Sequence, residues 1–241
     1  MDGLTAVLAA LSGYLLGAFS FARLITARLT RGEKLQPITL DVPDSAGRFT
    51  FRSISATTVR VRFGPKYGCL TSVLDMAKLA VPVAVFRIVW PDQPYYLIVA
   101  ALGVIGHNWP IYYQFQGGRG QSPLMGALVV IDPIGLLVTT AIGLPIGQFV
   151  IKRVLAASSV WIVLLIPWFG LRGDLAQVVF AVVVNTAYWL ATVPELLEYR
   201  RLKREGTLTE LSQEVQMWDM GRGFGRYADV LSGRKRPAGG D

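Results

Sequence analysis

Apolar residues gather in seven runs, roughly 3–22, 69–89, 95–114, 121–131, 134–151, 154–170 and 175–193, and no other feature limits the possible folds so strongly. A helix crosses the hydrocarbon core of a bilayer with about 20 such residues. Turn chemistry marks the breaks: "WPDQP" at 90–94, "QGGRGQ" at 116–121, "IDPIG" at 131–135, "KR" at 152–153 and "GLRGD" at 170–174. The chain is 52% hydrophobic and only 17% charged, where soluble domains carry about a quarter charged residues. Its mean hydropathy is +0.44. These features predict an all-α integral membrane protein. The first run lacks a basic start and a small-residue cleavage site, so it reads as an anchor and not a removable signal.

Charge sets the expected span count. The fourth run is short, and with the fifth it could form one helix kinked at Pro133. Seven spans with the N-terminus outside put the loop 23–68, the loop 115–121, Lys152–Arg153 and everything after 194 on one side. Of the 24 basic residues only Arg87 and Arg172 then fall on the other face, while Lys78 sits inside the second span. Six spans would set the basic tail opposite the basic first loop, against the positive-inside tendency. The expectation is therefore about seven transmembrane helices, N-terminus outside and C-terminus cytoplasmic. The net charge of +8 reads as orientation and leaflet attraction, with no nucleic-acid partner. One cysteine, Cys69, rules out an internal disulfide framework and a cysteine-rich metal site, and fits a packing residue.

Residues 1–198 form the expected membrane domain and 199–241 a basic, glycine-rich cytoplasmic tail, partly disordered at its end. In the long first loop, Thr50 to Phe63 alternates in places, which suggests a short strand or hairpin.

Three polar features share the cytoplasmic side in this topology. One is the stretch 50–68, with Ser53, Ser55, Thr57, Thr58, Arg60, Arg62 and Lys66. Another is Asp75 and Lys78, three apart on one helix face, where they can pair. Ionisable groups inside a span face protein or a watery cavity; a purely structural ion pair is the competing reading. The third is "GHNWPIYYQFQGGRG", from Gly106 to Gly120, which holds the only histidine. Glycines at 117, 118 and 120 let backbone N–H groups converge on an anion, and the following helix start adds positive potential. Arg119 can fork onto a phosphate. A plain turn between spans, with a hydrogen-bonded structural His107 behind it, is the alternative. The chain has no GxSxG, no HExxH, no Walker loop, no paired-cysteine metal motif and no His-plus-four-Asp box. An enzyme built this way would act by positioning and charge, without a protein nucleophile.

These motifs resemble a known family. "GHNWPIYYQFQGGRG" is similar to GHxFPxFxxFxGGKG of bacterial acyl-phosphate:glycerol-3-phosphate acyltransferases of the PlsY type. "GAFSFARLI" at 17–25 resembles GSIPFGYLI, "SATTVRVRFGPKYGCLTSVLDMAKLAVPV" at 55–83 resembles GATNVLRTLGKKAGxxxxxxDxxKGxxPV, and "KRVLAASS" at 152–159 resembles RYVSLASI. The resemblance implies a seven-span enzyme of the bacterial plasma membrane with its active site on the cytoplasmic face. It implies acyl phosphate and glycerol 3-phosphate as substrates, lysophosphatidic acid and phosphate as products, membrane lipids as surroundings, and no cofactor or metal. By position it implies a phosphate loop at Gly117, Gly118, Arg119 and Gly120, with Arg in place of Lys. Lys78, with Arg60 and Arg62, would bind or neutralise the acyl phosphate; His107 would orient the site. Ser53 would donate a hydrogen bond at the reacting centre, with Thr57, Asp75, Asn108 and Ser158 in support.

The chain also departs from the pattern. The serine of SGNxGATN meets Phe51 without a gap and Ser53 with a two-residue deletion. That motif's arginine falls on Val61, between Arg60 and Arg62. The C-terminal HRxNIxRLLxGTE is replaced by "PELLEYRRLKREGT", with Glu195 and Glu198 near the lost His and Asn, and residues 33–50 are an insertion. Two further functions fit such a chain: a catalytically degenerate paralogue that binds a phosphorylated lipid or assists another membrane enzyme, or a small transporter. The one-sided polar clusters speak against transport, where sites lie near the midplane.

Overall fold

The computed structural model describes residues 2–32, 34, 37–41, 48–151, 159–172 and 175–206. Helices follow the apolar runs, with ends set by local chemistry. α1 (Gly3–Ala18) starts at Asp2, whose carboxylate accepts the Thr5 amide at 2.8 Å. It stops at Phe19, and Ser20 caps α2 (Phe21–Leu29), so the first run is two helices end to end. α3 (Ala56–Phe63) and α4 (Pro65–Val89) follow, then α5 (Tyr95–Asn108), α6 (Gln121–Ile131) and α7 (Pro133–Pro145). A π-helical turn (Ile146–Ile151) extends α7, and α8 (Val160–Arg172) and α9 (Leu175–Arg204) complete the order. α6 and α7 are separate helices. The chain breaks at Asp132, whose carboxylate caps Gly135 N at 2.9 Å, and Pro133 takes the first-turn position where no amide is needed.

The alternation at 50–63 resolves differently from the expectation. A two-stranded antiparallel ribbon, β1 (Ile38–Asp41) and β2 (Arg48–Phe51), lies earlier, with Ile38 opposite Phe51. Residues 56–63 are helical instead. The Ser55 amide donates to Thr58 Oγ1 at 3.3 Å at the start, and Gly64 ends the helix at φ 90°. Local capping and a glycine stop outweigh a run of β-branched residues. The ribbon is the only sheet among the described residues of an otherwise helical fold. Helix α9 runs on to Arg204, through the boundary expected at 198/199; residues 207–241, Lys152, Arg153 and Ser158 lie outside the described residues.

The fold carries its apolar side chains outward. Leu137 is 70% exposed, Ile88 78% and Leu171 88%, and α1 shows Leu4, Val7, Leu8 and Leu11 on its outer face. So much exposed apolar surface suits lipid, not water. Among the described residues, Gly3–Leu29, Pro65–Val89, Pro133–Ile151 and Leu175–Arg204 are long and apolar enough to cross a membrane, and α6 and α8 are shorter apolar helices.

Helix α5 is the hub of the interior. Its Val99, Ala100 and Val104 are buried. α1 lies against it through small residues: a Cβ on Gly17 would strike the Gly103 backbone, and one on Gly106 the Tyr14 carbonyl. On α5's other side, a Cβ on Gly103 would collide with the Leu79 side chain of α4. Packing of this kind replaces the hydrophobic effect inside a membrane. It brings α1, α4 and α5 together just below the polar groups described next. The far end of the bundle has its own polar contacts. Arg87 donates to the Val130 and Ile131 carbonyls that end α6, and Arg172 lies 4.0 Å from Asp132. Both cations set apart by charge counting thus sit at that end, away from Arg60, Lys66 and Arg119.

Candidate active site

The close crossing of α1, α4 and α5 fixes a buried polar cluster. Lys78 Nζ has three acceptors at hydrogen-bond distance: Asp75 Oδ1 at 2.8 Å, His107 Nδ1 at 2.9 Å and the Phe19 carbonyl at 2.7 Å. Phe19 is free to accept because α1 ends there. An ammonium has three donors and no acceptor, so Nδ1 of His107 accepts and the neutral ring carries its proton on Nε2. The Lys78 and Asp75 side chains are 5% and 2% exposed. Lys78 is therefore spent on the protein and lines neither cavity described below. The expectation that it meets a substrate phosphate is set against these contacts with Asp75, His107 and Phe19.

The glycine loop wraps the end of α5. The Gly118 amide donates to the His107 carbonyl at 3.1 Å, and a Cβ at 118 would run into His107 Nε2. Gly120 caps α6 at φ 76°, where a Cβ would meet Val104 Cγ1 at 2.7 Å and Asn108 Oδ1 at 2.8 Å. Glycine is needed here both for space and for backbone sign. The loop is tied to the segment before α3, as the Ile54 amide donates to the Gly117 carbonyl at 2.8 Å.

Two cavities adjoin this loop. The larger, about 750 Å³, is lined by the starts of α3 (Ser55, Thr57), α4 (Lys66, Cys69) and α6 (Gly120, Ser122), with Arg60, Asp75, His107 and Arg119. Arg60 is held over α4 because Gly68 leaves no Cβ between them. Three helix N-termini and three cations therefore surround one space, an arrangement that favours a multiply charged anion. The smaller cavity, about 450 Å³, lies between the ribbon, the glycine loop and α9. It is lined by Thr50, Arg52, Ser53, Asn108, Gly117, Gly118 and Glu195, among others. Arg119 of the larger cavity and Glu195 of the smaller pair at 3.4 Å, so the two spaces meet at that ion pair.

The expected residues thus divide. Thr57, Arg60, Asp75, His107, Arg119 and Gly120 converge on the larger cavity, and Ser53, Asn108, Gly117 and Gly118 on the smaller. Arg62 lines neither; it is exposed and lies 5.2 Å over the Phe63 ring, because α3 turns it to the opposite face from Arg60's cavity side. Sequence reasoning assigned no role to Lys66 or Glu195. Lys66 could have been found as a cation in the first turn of a span. Glu195 follows the last apolar run in a charged stretch, and only its burial beside Arg119 in the fold sets it apart.

A helical membrane protein with a cationic cavity ringed by helix N-termini is the class this geometry defines. Within it, the chain belongs to the glycerol-3-phosphate acyltransferase family, whose description it matches over residues 7–197. It is 30% identical over 177 residues to Glycerol-3-phosphate acyltransferase 1 of Dehalococcoides mccartyi, covering 70% of this chain and 79% of that one. It is 33% identical over 162 residues to the glycerol-3-phosphate acyltransferase of Solidesulfovibrio magneticus, covering 65% and 74%. Its fold is that of a crystal structure of PlsY, an integral membrane glycerol 3-phosphate acyltransferase, in its glycerol 3-phosphate form. The TM-score is 0.66 at 20% identity, over 85% of this chain and 94% of that one. The lysophosphatidic acid form of PlsY gives a TM-score of 0.63 at 24% identity. The chain is a multi-pass, all-α integral membrane protein of this family.

Proposed function

We propose that the protein transfers an acyl chain from acyl phosphate to glycerol 3-phosphate, releasing lysophosphatidic acid and inorganic phosphate. One observation carries the assignment of the donor: the starts of α3, α4 and α6 and the cations Arg60, Lys66 and Arg119 face one cavity of about 750 Å³. That cavity takes the acyl phosphate head group, with the chain leaving between helices into lipid. His107 Nε2–H donates to a phosphate oxygen and is held in that tautomer by Lys78. Arg119 and the loop amides reach the acceptor phosphate from the shared wall. An acceptor hydroxyl oxygen attacks the carbonyl carbon, the carbon–oxygen bond to phosphate breaks, and the phosphate leaves with the electron pair. The hydroxyl proton passes to a substrate phosphate. Acyl phosphate is already activated, so alignment and charge stabilisation suffice. Ser53 and Thr57 support the two substrates, each in its own cavity.

The site opens on the cytoplasmic face of a bacterial plasma membrane in a seven-span topology with the N-terminus outside. Support comes from the basic residues: Arg60, Lys66, Arg119 and those ending α9 lie at one end, and Arg87 and Arg172 at the other. The basic tail, 207–241, acts as an electrostatic anchor to anionic lipid.

The exposed Cys69 thiol lines the larger cavity and reports its occupancy. Acyl phosphate should slow alkylation of Cys69 by a maleimide, and a neutral ester of the same chain should not. Equal rates with and without acyl phosphate would count against this placement.

A further inference from the structure

The smaller cavity is lined by the cation Arg52 and by a buried acid. Glu195, 1% exposed on α9, lines it, and its only charged neighbour among the described residues is Arg119 at 3.4 Å. Neither Glu195 oxygen has a hydrogen-bond partner there. Asn108, 3% exposed and on the same wall, gives its amide nitrogen to the Ala187 carbonyl at 3.2 Å. Its Oδ1 also lacks a hydrogen-bond partner among the described residues.

Buried polar atoms are rarely left without partners, and leaving an acceptor bare costs its lost hydration. An ionised carboxylate and an amide oxygen only accept. A phosphate brings further acceptors and negative charge, so it cannot satisfy them. Hydroxyl groups can. We propose that this cavity is a polyol subsite in which Glu195 and Asn108 receive the hydroxyls of the phosphorylated acceptor, while its phosphate turns toward Arg119. The inference rests on the acceptor assigned above and adds which end of it lies where. Ser53, on the wall of the same cavity, then stands beside the hydroxyl end. Glu195 becomes the residue that separates a glycerol phosphate from a phosphate with fewer hydroxyls.

The test is calorimetric binding to purified protein in lipid nanodiscs. The ligands are glycerol 3-phosphate and its two monodeoxy analogues, 3-hydroxypropyl phosphate and 2-hydroxypropyl phosphate. In Glu195→Ala, affinity for glycerol 3-phosphate should fall about tenfold or more, the scale of a hydrogen bond to a charged group, while at least one analogue changes less than about threefold. Glu195→Gln retains an acceptor oxygen and should keep part of the discrimination. A parallel loss for all three ligands in both variants would make Glu195 merely structural and overturn the subsite, as would no loss at all. Wild-type protein that binds none of the three contradicts the acceptor assignment itself.

Discussion

At the scale of single residues, the site contains two kinds of charge. Lys78 is buried by the protein for its own use, whereas Arg119 is 15% exposed and borders a cavity. Removing one partner of a buried pair leaves the other uncompensated. Lys78→Ala should therefore cost roughly 3–5 kcal/mol of stability by stranding Asp75, and the double variant Asp75→Asn with Lys78→Gln should cost less than Lys78→Ala alone. Thermal unfolding in detergent checks the order. Arg119→Ala should raise the apparent KM for glycerol 3-phosphate about tenfold, and Arg119→Lys should recover part of it by restoring charge without the fork. An unchanged KM in Arg119→Ala would remove the loop from the acceptor site. The motif 106–120 made the glycines legible in the sequence: a Cβ at 118 would meet the His107 imidazole, and the positive φ at 120 favours glycine. Glu195 was not legible as a site residue. Its meaning depends on α9 returning to the glycine loop, a contact that local patterning does not encode.

Among the elements, the glycine crossing of α1 over α5 positions everything above it. Gly17 and Gly103 meet backbone to backbone, and Gly103 also accommodates Leu79. Gly103→Leu should therefore separate α1, α4 and α5 and pull Lys78 away from His107. The expected destabilisation is about 1–3 kcal/mol or more from overpacking, with activity lost alongside. Gly3, where an added Cβ meets nothing within 4 Å, supplies the control: Gly3→Ala should leave the melting temperature unchanged. The apolar runs 69–89 and 121–131 anticipated α4 and α6 to within a few residues, since apolar length alone defines such helices. The first run broke into α1 and α2 because Ser20 offers a cap, and 56–63 became a helix because its ends are capped and stopped. Caps are short-range signals that an apolar count averages away.

For the whole molecule, charge asymmetry is the feature that ties fold to orientation. Arg87 and Arg172 lie at the end of the bundle opposite the cationic cavity. An impermeant maleimide should thus label Cys69 only in inside-out vesicles. In a Cys69→Ser background, Asp92→Cys, in the turn between α4 and α5, should be labelled only from the other side. Labelling of both positions from one side would contradict the proposed topology. The family could be anticipated from motif order along the chain, whereas the partition into two cavities could not, because it arises from the ribbon and α9 closing on the glycine loop. The central claim is acyl transfer, and its most direct test is purified protein in lipid vesicles given acyl phosphate and glycerol 3-phosphate. Equal amounts of lysophosphatidic acid and inorganic phosphate should form, with no requirement for coenzyme A or metal. Binding of glycerol 3-phosphate with no lysophosphatidic acid formed would contradict it.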